Sequence, residues 1–333
     1  MDRIIECVPN FSTSDPAVIK AITDAIKAVR DIKLLNVDPD VDYNRVVITF
    51  VGTPESVGEA AFQGIAKATD LIDMRKHKGE HPRIGAADVC PFVPVKGVTD
   101  DECIQIAHQT AKRISNELKV PTYLYAKAAT TKERVRLPDI RKGEYEGLRE
   151  KIVDPKWKPD FGEPVFNERS GAYVIGARDF LIAYNVNIGS EDVEIATEIG
   201  RTVRESGWWV EKDGQKVREP GLFKGIQGMG VTLERPDRKL TQVSMNVMNY
   251  RGLTKPHEVF EEIKRLATEK GAKVTGSEIV GLIPLEAILM AGKYYAPDEE
   301  EEDSLIKIAI ANLGLSDLDE FIPDQKIIEL MIK

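Results

Sequence analysis

The 333-residue chain has three cysteines, Cys7, Cys90 and Cys103. They are too few and too scattered for a disulfide framework, and none forms the paired CxxC spacing of a structural zinc site. The simplest setting for such a set is a reducing compartment. Positive charge is also outweighed, with 46 Lys and Arg against 55 Asp and Glu. The net charge of −9 lacks the broad basic footprint of a nucleic-acid binder. No apolar run reaches the length of a membrane span, and the start, MDRIIECVPN, has no apolar signal-peptide core. These absences predict a soluble cytoplasmic protein with neither a nucleic-acid nor a membrane partner. What remains, 42 % apolar and 30 % charged residues, is globular composition, and the length fits two domains.

Residues 3–8, 33–37 and 46–51 read as strands, and 54–72 as a helix. A helix over 16–30 is opened by Asp15 as N-cap with Pro16 behind it. Between two of the strands, NVDPDVDYN has loop chemistry. Residues 89–95 read as a strand, but Pro91 and Pro94 lack amide donors, which predicts an edge or kinked position. A helix follows over 100–118, then a short strand over 122–125. Residues 130–171 form an extended connector with one short helix near 145–152. In the second half, 180–188, 225–234, 240–250 and 273–283 are strands, and 191–205 and 256–270 are helices. That order is β-α-β-β-α-β. The first half up to residue 95 repeats it, with one helix and one strand added. The expected fold class is α+β, with two ferredoxin-like subdomains over 1–178 and 179–296. The acidic run DEEEED at 298–303 reads as a solvated stretch opening a helical tail over 297–333. A ligand site is expected where two such sheets pack or form a cleft.

Residues 75–83 carry four cations, Arg75, Lys76, Lys78 and Arg83, and two of the four histidines, His77 and His81. Imidazoles among cations suit proton transfer near neutral pH on an anionic ligand. A merely solvated charged loop is the plain alternative. A zinc site from His77 and His81 is disfavoured, because Gly79 and Pro82 oppose a helix and the cations repel a metal. Asp38, Asp40, Asp42, Asn44 and Arg45 fail the calcium-loop pattern and read as a turn. Asn10 and Ser12 read as turn residues. Gly225, Gly228 and Gly230 are a weak phosphate cradle and better explained by close strand packing.

ECVPNFS at 6–12, HKGEHPRIGAADVCPFVPV at 77–95, PTYLYAKAA at 121–129, ARDFLIAYNVNI at 177–188 and VGLIPLEAIL at 280–289 carry a further signal. In these segments, spread over residues 2–295, the chain resembles the glutamate formiminotransferase family. The resemblance implies mixed sheets facing each other with helices outside, folate held between the subdomains, and a homodimer. It implies a stand-alone transferase that moves the formimino group of N-formimino-L-glutamate to tetrahydrofolate, with tetrahydrofolate as co-substrate and no metal. His81, the histidine of HPR, takes the catalytic role. Asp38 or Glu80 is expected to hold the cationic amidine, with Glu80 also able to orient His81. Asn10, Asn44, Arg45, Lys78, Gly79 and Arg83 are the remaining substrate-binding candidates. The folate-contacting stretch is matched by Glu163, Pro164, Val165, Phe166, Asn167, Glu168, Arg169, Ser170, Gly171 and Ala172. Transfer of a formyl group, or binding of reduced folate without turnover, are the alternatives.

Overall fold

Alternate residues of four adjacent strand segments, including Cys7, Phe11, Ile48, Phe50, Cys90 and Phe92, are fully buried. One face of a sheet therefore meets the core. The computed structural model describes residues 2–79, 82–235 and 238–332. The chain forms two compact units, 1–178 and 179–333.

In the first unit the strands are β1 (Ile4–Cys7), β2 (Asn10–Phe11), β3 (Ile32–Asp40), β4 (Arg45–Gly52), β5 (Ala87–Lys96), β6 (Thr122–Ala126) and β7 (Tyr173–Ala177). They pair in the spatial order β3, β4, β1 with β2, β5, β7, β6. The first four positions are antiparallel, in the ferredoxin-like order, while β7 pairs in parallel with both β5 and β6. Helices α1 (Pro16–Lys27), α2 (Val57–Leu71) and α3 (Asp100–Leu118) supply the apolar residues that pack against the core face. Asp15 caps α1 through the amides of Ala17 and Val18, and a Thr99–Glu102 capping box starts α3.

The expectation for residues 89–95 is corrected. Despite its two prolines, β5 is central, and its first nine residues are buried. Pro91 lies opposite the break between β1 and β2, since Cys7 pairs with Phe92 and Asn10 with Val89. Pro94 lies beyond the end of β7, whose last residue pairs with Phe92. The missing donors therefore fall where the ladders are interrupted. The loop expected at 36–44 is also shorter: β3 runs to Asp40, with Pro39 tolerated on an edge strand, and only 41–44 turn. The connector is more than a strap. Its helices α4 (Leu137–Arg141) and α5 (Glu144–Lys151) bury Ile140 and Leu148 with Tyr123, Tyr125 and Val174 in a second apolar cluster.

In the second unit, β8 (Leu181–Ile188), α6 (Val193–Val203), β11 (Ile226–Glu234), β12 (Lys239–Met248), α7 (Pro256–Glu269) and β13 (Val274–Val280) follow the ferredoxin-like plan. Their sheet order is β11, β12, β8, β13, antiparallel throughout. Sequence reading missed the hairpin of β9 (Trp208–Lys212) and β10 (Gln215–Glu219). Its signal was Asp213-Gly214, a two-residue turn with φ of 53° and 73°. The RPDRK turn includes Pro236 and Asp237, which lie outside the described residues.

The tail expected after residue 296 is part of this unit. Helix α8 (Leu285–Tyr295) packs on α9 (Glu302–Leu313), which buries Leu305, Ile306, Ala309 and Leu313. The amide of Ser277 in β13 donates to the Gly314 carbonyl over 2.9 Å. The acidic run caps α9: Glu301 accepts from the Ser304 amide, and Glu299 from the amides of Glu300 and Glu301. Carboxylates there also oppose the positive end of the helix dipole.

Candidate functional site

Register places part of the expected site on one sheet face. Asp38 and Asn10 both pair with Val47, on opposite sides of β4. Residues in one row share a face, and two strand spacings set Asp38 and Asn10 about 10 Å apart. Asp38 is exposed on the edge strand; Asn10 is half-buried and donates to the Val8 carbonyl over 3.2 Å. Arg45 pairs with Asp40, one step along the same face, with its guanidinium 5.8 Å from the centre of the Tyr43 ring.

The β3–β4 turn brings Asn44 to the cation-rich loop. Asn44 adopts φ of 45°, a conformation asparagine tolerates better than most residues. Its side-chain oxygen accepts from the amide and hydroxyl of Ser14, and its side-chain nitrogen donates to the Lys78 carbonyl over 2.8 Å. A Cβ on Gly79 would collide with the Tyr43 carbonyl, so only glycine permits this approach.

His77 completes the brace. Nε2 lies 2.9 Å from the Asn44 carbonyl oxygen, and Nδ1 accepts from Arg83 Nε over 3.3 Å. These partners assign the neutral ring with its proton on Nε2. Burial lowers the His77 pKa most; the Asn44 carbonyl opposes this and Arg83 adds to it. Both ring nitrogens are thus engaged within the protein.

Arg83, expected as a substrate clamp, is 6 % exposed and committed to carboxylates of its own chain. Nη1 donates to Glu144 and Glu146 over 2.9 Å each, and Nη2 to Glu146 over 2.7 Å. Beneath it, Asp88 is buried, accepts from the Ile84 amide over 2.9 Å and pairs with Arg141. Burial pushes the Asp88 pKa up, against the pull of Arg141. Sequence reading missed Glu144, Glu146, Asp88 and Arg141. Glu144 and Glu146 stand some sixty residues from Arg83, in the first turn of α5, where no local pattern announces the pairing. His77, Lys78, Gly79 and Arg83 line one wall of a cavity of about 550 Å³, and Gly143, Glu144 and Glu146 the other. Glu80 and His81 lie outside the described residues.

The stretch from Glu163 to Ala172 divides in three. Glu163, Val165, Phe166 and Asn167 line a different cavity of about 400 Å³, with Ser115 and Lys119 of the α3 end. Glu168 and Arg169 are exposed. The Glu168 carbonyl accepts from the Tyr145 hydroxyl, and Arg169 donates to the Asp70 carbonyl. Ser170, Gly171 and Ala172 are buried against residues 84–86. The Met74 amide donates to the Arg169 carbonyl over 2.8 Å, and the Ala86 amide to the Ser170 carbonyl over 3.0 Å. This stretch therefore holds both ends of the loop that carries residues 77–83.

Two ferredoxin-like units, the first bearing this braced histidine loop, define the class of fold. Residues 4–178 match the family model described as the formiminotransferase domain, N-terminal subdomain, and residues 183–333 match the formiminotransferase domain. The chain belongs to the formiminotransferase family. It is 48 % identical over 339 residues to the formimidoyltransferase-cyclodeaminase of Dictyostelium discoideum, covering all of this chain and 61 % of that protein. It is 41 % identical over 301 residues to the glutamate formimidoyltransferase of Streptococcus pyogenes serotype M1, covering 90 % of this chain and 95 % of that one. The glutamate formimidoyltransferase of Thermoplasma acidophilum is 43 % identical over 295 residues, 88 % of this chain and 92 % of its own. The chain spans about 60 % of the length of the two-name relatives it matches.

Proposed function

We propose that the chain transfers the formimino group of N-formimino-L-glutamate to N5 of tetrahydrofolate, releasing L-glutamate and 5-formiminotetrahydrofolate. Supporting it are the family membership, the activity for which two relatives covered along nine-tenths of their length are named, and one structural observation. That observation is the loop 76–79, fastened to the β3–β4 turn through Asn44, Gly79 and His77 beside a charged cavity. Bracing of this kind holds His77 to Gly79 in place, and His81 stands two residues further along the sequence.

The donor's amidine is planar and cationic. N5 attacks its carbon to form a tetrahedral intermediate. The N5 proton passes to His81, and the same imidazole then returns a proton to the glutamate nitrogen as the C–N bond breaks. Acid–base catalysis of this kind supplies about a hundred- to ten-thousand-fold. Asp38 is the carboxylate proposed to face the donor from the sheet, and Lys78 the cation for its carboxylates. Arg83 has its donors committed to Glu144, Glu146 and His77, so its role is to position the loop.

His81→Ala is expected to abolish transfer, read as glutamate release, while tetrahydrofolate still binds. A variant as fast as the parent removes His81 from the mechanism. Asp38→Asn is expected to weaken formiminoglutamate binding about tenfold, the scale of one hydrogen bond to a charged group. Unchanged affinity would take Asp38 out of the donor site.

A further inference from the structure

The donor's distinguishing group is a cation, and the 550 Å³ cavity holds a carboxylate that its own salt bridge does not use up. Glu146 spends both oxygens on Arg83: Oε1 accepts from Nη2 and Oε2 from Nη1. Glu144, which lines the cavity, spends only Oε2 on Arg83. Its side chain is 44 % exposed, whereas that of Arg83 is 7 % exposed beneath it. The carboxylate is thus anchored from behind and open in front.

The backbone is bent to present it. Gly143 has φ of 91° and Glu144 φ of 55°, two successive left-handed residues at the start of α5. Glycine adopts this conformation freely, but glutamate does so at a cost, and such residues concentrate at functional sites. The tie between the Tyr145 amide and the Arg83 carbonyl, 2.8 Å long, fixes the turn against the histidine loop. Lys78 stands on the facing wall as the cation for an anionic ligand. A wall with one open carboxylate and a wall with one open ammonium suit a ligand that is itself zwitterionic.

We propose that Glu144 is a specificity-determining residue, whose open oxygen accepts from the amidinium N–H groups of the donor and so favours a formimino over a formyl substrate. The proposal rests on the transfer reaction proposed above. A formamide has nearly the same shape but is neutral, and its oxygen would face Glu144 with a lone pair instead of a proton. A lone pair set against the carboxylate, in place of a donated proton, disfavours the neutral isostere more than shape does.

The test measures kcat/KM for N-formiminoglutamate and for N-formylglutamate with tetrahydrofolate, and donor binding by calorimetry, in the parent, Glu144→Gln, Glu146→Gln and Asp38→Asn. The amide introduced by Glu144→Gln keeps an acceptor oxygen for Arg83, and melting temperature serves as the folding control. Glu144→Gln is expected to lower the formimino-to-formyl ratio about tenfold or more, by weakening formiminoglutamate alone. Glu146→Gln is expected to leave that ratio within about twofold. An unchanged ratio in Glu144→Gln, or an equal fall in Glu146→Gln, overturns the proposal; so does a ratio that responds only to Asp38→Asn. If the parent transfers neither group yet Glu144→Gln weakens formiminoglutamate binding selectively, the transfer reading fails and the cation site stands.

Discussion

His77 and His257 illustrate how surroundings set what one residue type does. Burial lowers the pKa of each. At His77 the Asn44 carbonyl, Glu146 and Asp88 work against burial, and Arg83 works with it. His257, 4 % exposed at the start of α7, stacks on Tyr294 at 4.7 Å, with Glu258 and Glu261 raising its pKa and Lys255 lowering it. A histidine held neutral in the folded state contributes its full stability above the unfolded pKa of about 6.5. Below that the unfolded chain binds the proton first, and stability is lost as pH falls through the folded value. The urea midpoint is therefore expected to be level above pH 7 and to decline as the pH falls below about 6.5. His257→Gln should flatten part of that decline; a midpoint that does not move over this interval contradicts both assignments. Gly79 acts by lacking a side chain. Gly79→Ala must push the loop off the Tyr43 carbonyl, and a displacement near 1 Å at a reacting site costs about a hundredfold. The expectation is a large fall in transfer rate with little change in melting temperature, checked by kinetics beside calorimetry.

At the scale of elements, periodicity and capping signals were read well where the pattern is local. The helices at 16–27, 100–118 and 256–269 and the strands at 181–188 and 226–234 lie within a few residues of their expected positions. What local pattern misjudged was context. Pro91 and Pro94 suggested an edge, yet the interrupted neighbours of β5 spare a central strand their missing donors. The segment after residue 296 looked like an appendage, because an acidic run hides the apolar face of α9 behind it. Asp317, just past α9, accepts from Asn187 over 2.8 Å and from Thr275 over 2.6 Å, and pairs with Arg238 over 3.3 Å. It ties the C-terminal segment to β8 and β13. Asp317→Ala is expected to destabilise the protein by about 1–3 kcal/mol, since it leaves polar partners unpaired in a half-buried network. Chemical denaturation measures this, and a loss below about 0.5 kcal/mol would mean the segment is held by apolar packing alone.

Across the molecule, the three thiols report on one unit. Cys7, Cys90 and Cys103 are all fully buried, and all lie within residues 1–178. Burial raises the Cys7 pKa well above its ordinary value, with Cys90 contributing, and raises that of Cys103 to about 12. At Cys7 and Cys103 the thiolate, the reactive form, is therefore suppressed as well as covered. The native protein is expected to resist a thiol reagent at pH 8 and to expose all three groups only when the first unit unfolds. One rapidly labelled thiol in the native state would contradict that packing. Among the described residues, no helix is long and apolar enough to cross a membrane.

The amino-acid sequence alone determined the two β-α-β-β-α-β runs and the family, and it singled out the segment from His77 to Arg83 as the candidate site. Alternation, caps and contiguous motifs are local properties, written out along the chain. Tertiary structure alone decided which charges meet. Arg83 reaches Glu144 and Glu146 across some sixty residues, and His77 reaches the Asn44 carbonyl across thirty-three. Residues 169–172 turn out to hold the loop's ends, because β7 returns beside β5. Pairing over such separations depends on how sheets and connectors close in space, and no periodicity in one segment records the position of another.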